Sequence, residues 1–361
     1  MAGYGKRVHL AWRRRMALRG SMYAACVIAF CACSARVSPG GAGPGFASSS
    51  AASPGSGARG EHVVKPAAGV LTAGAWDDNL NFDRFDRYRS QLRGLSGLLP
   101  SSDEEHDSAN AEWSEALSPH QTLDVALVID TTGSMGDEIA YLQREFTALS
   151  QAIEAEFEGS EQRWALVVYR DKGDDYVART FDFTARTSDF RSKLAQQSAG
   201  GGGDYPEAPD AALAAMAKLS WRDTADTARL AFWVADAPHH RENANAMLGA
   251  IRAVHRAGVH VYPVASSGVD ELTELTMRTA AQLSGGRYLF LTDDSGVGLA
   301  HKEPSIPCYF VTRLNDAMLR MIEIELTGVY REPSADQILR SGGDPRDGAC
   351  ELTSGELLEV F

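Results

Sequence analysis

Residues Leu123 to Met135 read Leu-Asp-Val-Ala-Leu-Val-Ile-Asp-Thr-Thr-Gly-Ser-Met. The first part is apolar and rich in β-branched residues, which predicts a buried β-strand that ends abruptly at Asp130. Thr132 and Ser134 follow within one turn. Carboxylate and hydroxyl oxygens are the ligands that hard divalent cations prefer. The stretch therefore predicts a site for Mg²⁺ or Ca²⁺ where this strand ends.

From Gln121 onwards, short apolar segments alternate with longer amphipathic ones. This alternation predicts a doubly wound α/β fold, with a mostly parallel sheet of six strands and helices on both faces. The strands are predicted at Leu123 to Ile129, Trp164 to Tyr169, Val177 to Phe183, Leu230 to Ala235, His260 to Val264 and Tyr288 to Leu291. A polar turn alone separates the second and third strands, which should form an antiparallel hairpin. Ligands of such sheets bind where parallel strands end.

Three motifs in this order resemble the von Willebrand factor A domain. The pattern Asp-x-Thr-x-Ser at Asp130 resembles the metal-ion-dependent adhesion site of that family, in the variant with Thr at the second position. Gly201 to Ala208 resembles the second loop of the family, and Val234 to His239 resembles the third. The resemblance covers roughly Thr122 to Thr327. It implies a cation at the carboxyl edge of the sheet, with one coordination position left for an acidic residue of a protein partner.

The predicted metal ligands are Asp130, Thr132, Ser134 and Asp236. Many members of the family place a Thr in the second loop, but no Thr occurs between Phe190 and Arg222. Asp204 and Glu207 are the candidates, with Asp204 slightly ahead. Their alternative interpretation is a capping box that begins a helix behind Pro206. A carboxylate at this position would neutralise the cation further and favour Ca²⁺.

Asp137 and Glu138 follow the first motif directly. Some integrin subunits place acidic residues at this position for an adjacent second cation, so the resemblance implies a possible second site. The alternative is that both carboxylates simply complement the dipole of the helix that begins there.

The formal net charge of the 361-residue chain is −13, yet its first 32 residues contain six basic residues and no acid. The remaining body is therefore strongly acidic, which attracts cations and disfavours nucleic acid. Residues 1–32 are predicted to be a signal peptide because an apolar run follows the basic start. Phe30 to Ser34 resembles a bacterial lipobox with Cys33 as the lipidated residue. A cleaved signal without lipid, or an uncleaved anchor, is the alternative.

The rest of the chain divides by composition. Residues 33–70 are predicted to be a flexible tether of Gly, Ala, Ser and Pro, and residues 71–120 a short helical and acidic linker region. Residues 121–328 form the A domain, and residues 329–361 a C-terminal extension. Cys308 and Cys350 are the two cysteines beyond the N-terminal region, which predicts a disulfide in an exported protein. Two buried free thiols are the alternative.

These features predict a bacterial envelope lipoprotein, anchored in the outer membrane by lipid, whose A domain binds an acidic protein partner through Mg²⁺ or Ca²⁺. A secreted or periplasmic protein is the alternative location. A scaffold with a structural cation is the alternative function. A phosphatase of the haloacid dehalogenase type also begins with a strand that ends in Asp. Such enzymes have a second Asp two positions later as the general acid, and this chain has Thr132 there. We therefore expect no catalysis and no small-molecule substrate.

Overall fold

The computed structural model describes residues 70–115, 119–296 and 300–360, all within the compact unit Arg59–Phe361. The predicted signal peptide, Cys33 and the tether up to residue 69 lie outside these residues. The strands are β1 (Thr72–Trp76), β2 (Thr122–Asp130), β3 (Glu161–Tyr169), β4 (Ala178–Thr184), β5 (Thr227–Ala235), β6 (His260–Ala265), β7 (Tyr288–Thr292), β8 (Tyr309–Arg313), β9 (Arg340–Gly342), β10 (Ala349–Glu351) and β11 (Leu357–Glu359). The helices are α1 (Phe82–Gln91), α2 (Asp103–Glu115), α3 (Gly136–Glu156), α4 (Thr187–Ala195), α5 (Pro209–Met216), α6 (Ala244–Arg256), α7 (Glu271–Ser284) and α8 (Leu314–Thr327).

The predicted doubly wound, mostly parallel sheet is confirmed. Strands β2, β3, β5, β6 and β7 run parallel, and β4 pairs antiparallel with β3 in the predicted hairpin. Helix α3 contacts α4 and α8, and helix α6 contacts α5 and α7, so two groups of helices cover the sheet. The central strands are buried because both faces are covered, which explains their nearly continuous apolar sequences.

The predicted number of six strands is wrong. In the described residues the main sheet has nine strands, in the order β4-β3-β2-β5-β6-β7-β1-β8-β9. Strand β1 comes from the region predicted to be a linker, and β9 comes from the predicted C-terminal extension. The region predicted to be a helical and acidic linker begins with a strand that ends at Trp76, and its acidic part is helix α2. Both regions flanking residues 121–328 are therefore part of the same fold.

Strand β1 lies between β7 and β8 and pairs antiparallel with both. Gly74 is opposite Phe290 on β7. A Cβ atom at Gly74 would lie 2.3 Å from Cζ of Phe290. This position therefore requires a residue without a side chain, because the aromatic ring occupies the space above it.

We expect Gly74→Ala to lower the free energy of unfolding by about 1–3 kcal/mol, because the added methyl group overpacks the core against Phe290. Urea denaturation measures this change. The matched control is Gly249→Ala in α6, where an added Cβ meets nothing within 4 Å. There alanine should be neutral or stabilising, since it favours helix more than glycine does. Equal effects of the two substitutions would contradict the role of β1 as a core strand.

The C-terminal residues fold back onto the N-terminal part of the described chain. Cys308 and Cys350 form a disulfide with a Cα–Cα distance of 6.2 Å. The Asn81 side chain, at the start of α1, donates to the backbone oxygen of Glu359 at 2.9 Å and accepts from its backbone nitrogen at 3.2 Å. Val360 is fully buried beyond that contact. The hairpin of β10 and β11 thus closes the domain.

Within the ranges that the structure describes, no helix is both long and apolar enough to cross a membrane.

Candidate metal centre

Asp130 is the last residue of β2, and its carboxylate is fully buried. Its Oδ1 accepts hydrogen bonds from the backbone nitrogen of Thr132 at 2.9 Å and from the Thr132 hydroxyl at 2.7 Å. No described residue donates a hydrogen bond to its Oδ2, which is buried as well. The strand thus delivers one carboxylate oxygen that is held in place and one that is left without a partner.

Asp236 directly follows β5, which pairs in parallel with β2. The two acidic residues meet at one edge of the sheet, as predicted, because parallel neighbours end at the same edge. Burial, and then the charge of Asp236, raise the pKa of Asp130 to about 7. Burial also raises the pKa of Asp236, although a hydrogen bond with the side chain of the exposed Ser134 lowers it in part. The chain thus brings Asp130, Thr132, Ser134 and Asp236 together.

The second loop packs against the loop that follows β2. The backbone nitrogen of Gly200 donates to the oxygen of Thr131 at 3.0 Å, and that of Gly202 donates to Oδ2 of Asp174 at 3.0 Å. Gly202 has a left-handed φ of +72°, and a Cβ there would lie 3.0 Å from Oε1 of Glu207 and 3.2 Å from Cβ of Thr132. The bare backbone of Gly202 therefore lets Glu207 approach the first loop.

Of the two second-loop candidates, Glu207 is the buried one. Its Oε2 is buried, and the described part of the chain supplies it with no hydrogen-bond partner. Burial first, and then the negative charges of Asp130 and three other aspartates, raise its pKa to about 9. Asp204 is exposed. The predicted capping box is wrong, because α5 begins only at Pro209 and Glu207 instead forms a β-bridge with His239.

Asp137 and Glu138 point in different directions at the start of α3. Asp137 is exposed, whereas Glu138 is buried and its Oε1 accepts from the Ser267 hydroxyl at 3.3 Å. Burial raises the pKa of Glu138, and the charge of Asp236 raises it further. Its Oε2 has no partner among the described residues. Glu138 therefore adds a buried carboxylate beside the same strand edge.

The fit of a cation can be judged from these oxygens. Asp130, Glu138, Glu207 and Asp236 each have one buried carboxylate oxygen that no described residue bonds. Burying a charge without a partner is costly, and a divalent cation would offset that cost. No three His, Cys, Asp or Glu side chains within 70–115, 119–296 and 300–360 are placed to hold an ion together. The hydroxyl groups of Thr132 and Ser134 are thus needed to complete the donors, and an all-oxygen set suits Mg²⁺ or Ca²⁺.

One supporting residue, Arg170, was not predicted from the sequence. Arg170 follows β3, and its Nε donates to the backbone oxygen of Thr131 at 3.2 Å while its Nη2 donates to that of Ser198 at 3.1 Å. The Asp171 carboxylate and His240 Nε2 are 2.7 Å apart. These groups brace the loops that carry the site. The rule that ligands gather at strand ends could have drawn attention to Arg170, since β3 ends at the same edge.

Comparison with known proteins agrees with this fold. Residues 124–297 match the family model described as von Willebrand factor A domain. The chain is 30% identical over 123 residues to an ariadne-like RING finger protein of Acanthamoeba polyphaga mimivirus, and 25% identical over 129 residues to an alpha-protein kinase of Dictyostelium discoideum. These alignments cover 34% and 35% of the chain, but only 12% and 20% of the relatives.

Two solved structures are also similar. The protein BatB from Bacteroides thetaiotaomicron has 13% identity and a TM-score of 0.40, and the alignment covers 56% of this chain and 97% of BatB. The pilus adhesin SpaC from Lactobacillus rhamnosus GG has 12% identity and a TM-score of 0.35, with 47% of this chain and 28% of SpaC covered.

The matched residues 124–297 include the strand-end site, so this part of the chain is similar to a von Willebrand factor A domain. Its second loop presents the buried carboxylate of Glu207 and contains no Thr.

Proposed function

We propose that this domain binds a divalent cation and uses it to bind a protein partner through an acidic side chain of that partner. Asp130 and Asp236 would supply carboxylate oxygens and Thr132 and Ser134 hydroxyl oxygens, and Glu207 would add negative charge beside them. The observation that carries the proposal is the group of buried carboxylate oxygens that no described residue bonds. The bound cation would supply the positive charge that attracts the carboxylate of the partner.

The carboxylates in and beside the site set how strongly it attracts another acid. Each one neutralises part of the charge of the ion, so a site with Glu207 beside it is less electrophilic than one surrounded by hydroxyl groups and water alone. Ca²⁺ accepts more oxygen ligands than Mg²⁺ and tolerates irregular geometry. We therefore propose a preference for Ca²⁺ and a moderate affinity for acidic partners.

We further propose that the domain is not an enzyme and is displayed in a bacterial envelope, on an anchor lipidated at Cys33. The lipobox-like sequence, the basic start of the chain and the Cys308–Cys350 disulfide support this location, because disulfides persist in oxidising compartments. The exchange of the second Asp of a phosphatase for Thr132 supports the absence of catalysis.

A structural role of the cation is the second candidate. The near-complete burial of Asp130 and Glu207 favours it, because an ion enclosed by these side chains would chiefly hold three loops together. In that case the ion would stabilise the domain without changing its binding to other proteins.

Isothermal titration with Ca²⁺ and with Mg²⁺ tests the site. We expect Asp236→Asn and Glu207→Gln each to weaken Ca²⁺ binding at least about tenfold. The first removes the charge of a metal ligand, and the second removes a negative charge next to the ligands. The matched control is Asp204→Asn in the same loop, which should bind as the wild type does. Saturation at about 100 times the dissociation constant should raise the free energy of unfolding by about 2.7 kcal/mol. A loss with Asp204→Asn alone would contradict the assignment of Glu207.

Affinity capture from envelope extract separates the two functions. Wild type and Ser134→Ala are each presented with Mg²⁺, with Ca²⁺ and with a chelator. Partners that require both the ion and Ser134 would support the proposed binding module. If the same partners bind with either ion, with the chelator and to Ser134→Ala, and if the stability of the domain depends on Ca²⁺, the result would support the scaffold. A metal-dependent phosphatase rate abolished by Asp130→Asn would contradict both.

A further inference from the structure

A cavity of about 460 Å³ lies on the side of α7 that is covered by the N-terminal part of the described chain. Its walls come from the end of α1, the segment that leads to α2, the first turn of α2, and α7. We call it the α1–α7 cavity. It is lined by Arg89, Arg93, Leu98, Leu99, Pro100, Ser101, Ser102, Asp103, Glu104, Leu275, Thr276 and Thr279. No proposed metal ligand lines it, so its chemistry is separate from that of the strand edge.

One side of the α1–α7 cavity carries two guanidinium groups. Arg89 and Arg93 both pair with the carboxylate of Asp103, at 3.2 Å and 3.4 Å. These distances exceed the roughly 2.7–2.9 Å of strong charge-assisted hydrogen bonds. The Asp103 side chain is 62% exposed. The exposed carboxylate of Asp103 thus lies between two arginines. Another oxyanion could replace it there.

Arg89 is the more buried of the two arginines. Its side chain is only 13% exposed, and its guanidinium carbon lies 6.0 Å from the centre of the Phe85 ring. The Arg93 side chain is 66% exposed. One buried and one exposed guanidinium group suit an anion that enters from solvent, because guanidinium groups match the oxygens of carboxylates and phosphates.

One residue that lines the α1–α7 cavity has a buried hydroxyl group without a partner among the described residues. Thr276 is 2% exposed, and no described residue forms a hydrogen bond with its Oγ1. Buried hydroxyl groups normally have a hydrogen-bond partner, and leaving one unpaired is costly. Thr276 belongs to α7 and lines the cavity, so its hydroxyl can donate to an oxygen of a ligand there.

The remaining walls are of two kinds. Leu98, Leu99, Pro100 and Leu275 provide an apolar surface. Ser102 accepts from the backbone nitrogen of Glu105 at 3.3 Å and so caps the start of α2, whose first backbone N–H groups favour anions. The volume lies in the range of small-molecule sites, which are mostly apolar with a few placed polar groups.

We propose that the α1–α7 cavity binds a small molecule that carries an oxyanion, either a phosphate or a carboxylate, on an apolar group. Arg89 and Arg93 bind the oxyanion in exchange for Asp103, the Thr276 hydroxyl donates to the ligand, and the leucine and proline side chains contact its apolar part. This site is independent of the cation site.

Titration calorimetry on the full chain tests the proposal with four probes. Phenyl phosphate and benzoate combine an aromatic ring with an oxyanion, inorganic phosphate has the anion alone, and benzyl alcohol has the ring alone. We expect phenyl phosphate or benzoate to bind at least tenfold more tightly than either partial probe, and the better of the two identifies the anionic group. Addition of a chelator should leave this binding unchanged. Equal affinities for all four probes, or no binding at millimolar concentration, would overturn the proposal.

Variants test which residues bind the probe. We expect Arg93→Ala and Thr276→Val each to weaken binding of the better probe by about five- to tenfold, because each removes one donor. Asp103→Asn should strengthen it, since the competing carboxylate is lost. The control is Arg87→Ala on α1, which lies outside the cavity lining and should bind as the wild type does. An unchanged affinity in Arg93→Ala and Thr276→Val, or a weaker one in Asp103→Asn, would show that the probe binds elsewhere.

Discussion

Replacing Asp78 with alanine should lower the free energy of unfolding by about 3–5 kcal/mol, because it removes one partner of a buried ion pair. The Asp78 carboxylate accepts from Nε of Arg278 at 2.9 Å and from its Nη2 at 2.7 Å. It also accepts from the indole nitrogen of Trp76 at 2.9 Å. The Arg278 side chain is only 3% exposed, so without Asp78 its charge would be buried with Glu274 as its remaining ion-pair partner.

Urea denaturation followed by fluorescence measures this loss. The matched control is Asp344→Ala, which breaks an ion pair with Arg346 whose side chains are 77% and 73% exposed. Water screens so exposed a pair almost completely, so this control should unfold almost as the wild type does. Similar effects of the two substitutions would show that the segment around Asp78 is only loosely attached to the domain.

Loss of the Cys308–Cys350 disulfide should cost about 4 kcal/mol, since the bridge closes a long loop and restricts the unfolded chain. The two cysteines are 42 positions apart and both are buried. The bridge joins the residue before β8 to strand β10 of the closing hairpin. We therefore expect the double substitution Cys308→Ser and Cys350→Ser to destabilise the core strands as well as the hairpin.

Two measurements check this prediction. Alkylation of the unfolded wild type without reductant should add no alkyl group at these cysteines, whereas alkylation after reduction should add two. Hydrogen exchange should then show whether the double variant loses protection in β8 and β1. If only residues 340–360 lose protection, the bridge stabilises the hairpin locally and the predicted global loss is wrong.

Much of the sheet could be predicted because most of its strands have apolar sequences that can be recognised one at a time. The segments that became β2 to β7 are apolar enough to identify singly, and the polar turn after Tyr169 identified the hairpin. Strand β1 escaped prediction because its sequence, Thr-Ala-Gly-Ala-Trp, is short and has small side chains. Its burial depends on partners about 220 positions away, such as Thr292 opposite Thr72. Periodicity within a short window carries no information about such pairs.

Some residues of the candidate metal site could be predicted from the sequence and others could not. Asp130 and Asp236 could be assigned from sequence because each directly follows an apolar strand. The choice between Asp204 and Glu207 could not be made, since both are carboxylates in one loop. Motif position slightly favoured Asp204, which is exposed in the structure. Burial of Glu207 depends on its bridge to His239 and on the close approach that Gly202 allows.

The sequence by itself determined the class of fold and the strand ends at which oxygen donors gather, because both follow from local hydrophobic periodicity and from the geometry of parallel sheets. Only the tertiary structure decided that the regions flanking the domain complete its sheet, and that Glu207 and Glu138 turn inward beside Asp130 and Asp236. Those outcomes depend on contacts between residues far apart in the chain, where packing and burial outweigh local preference.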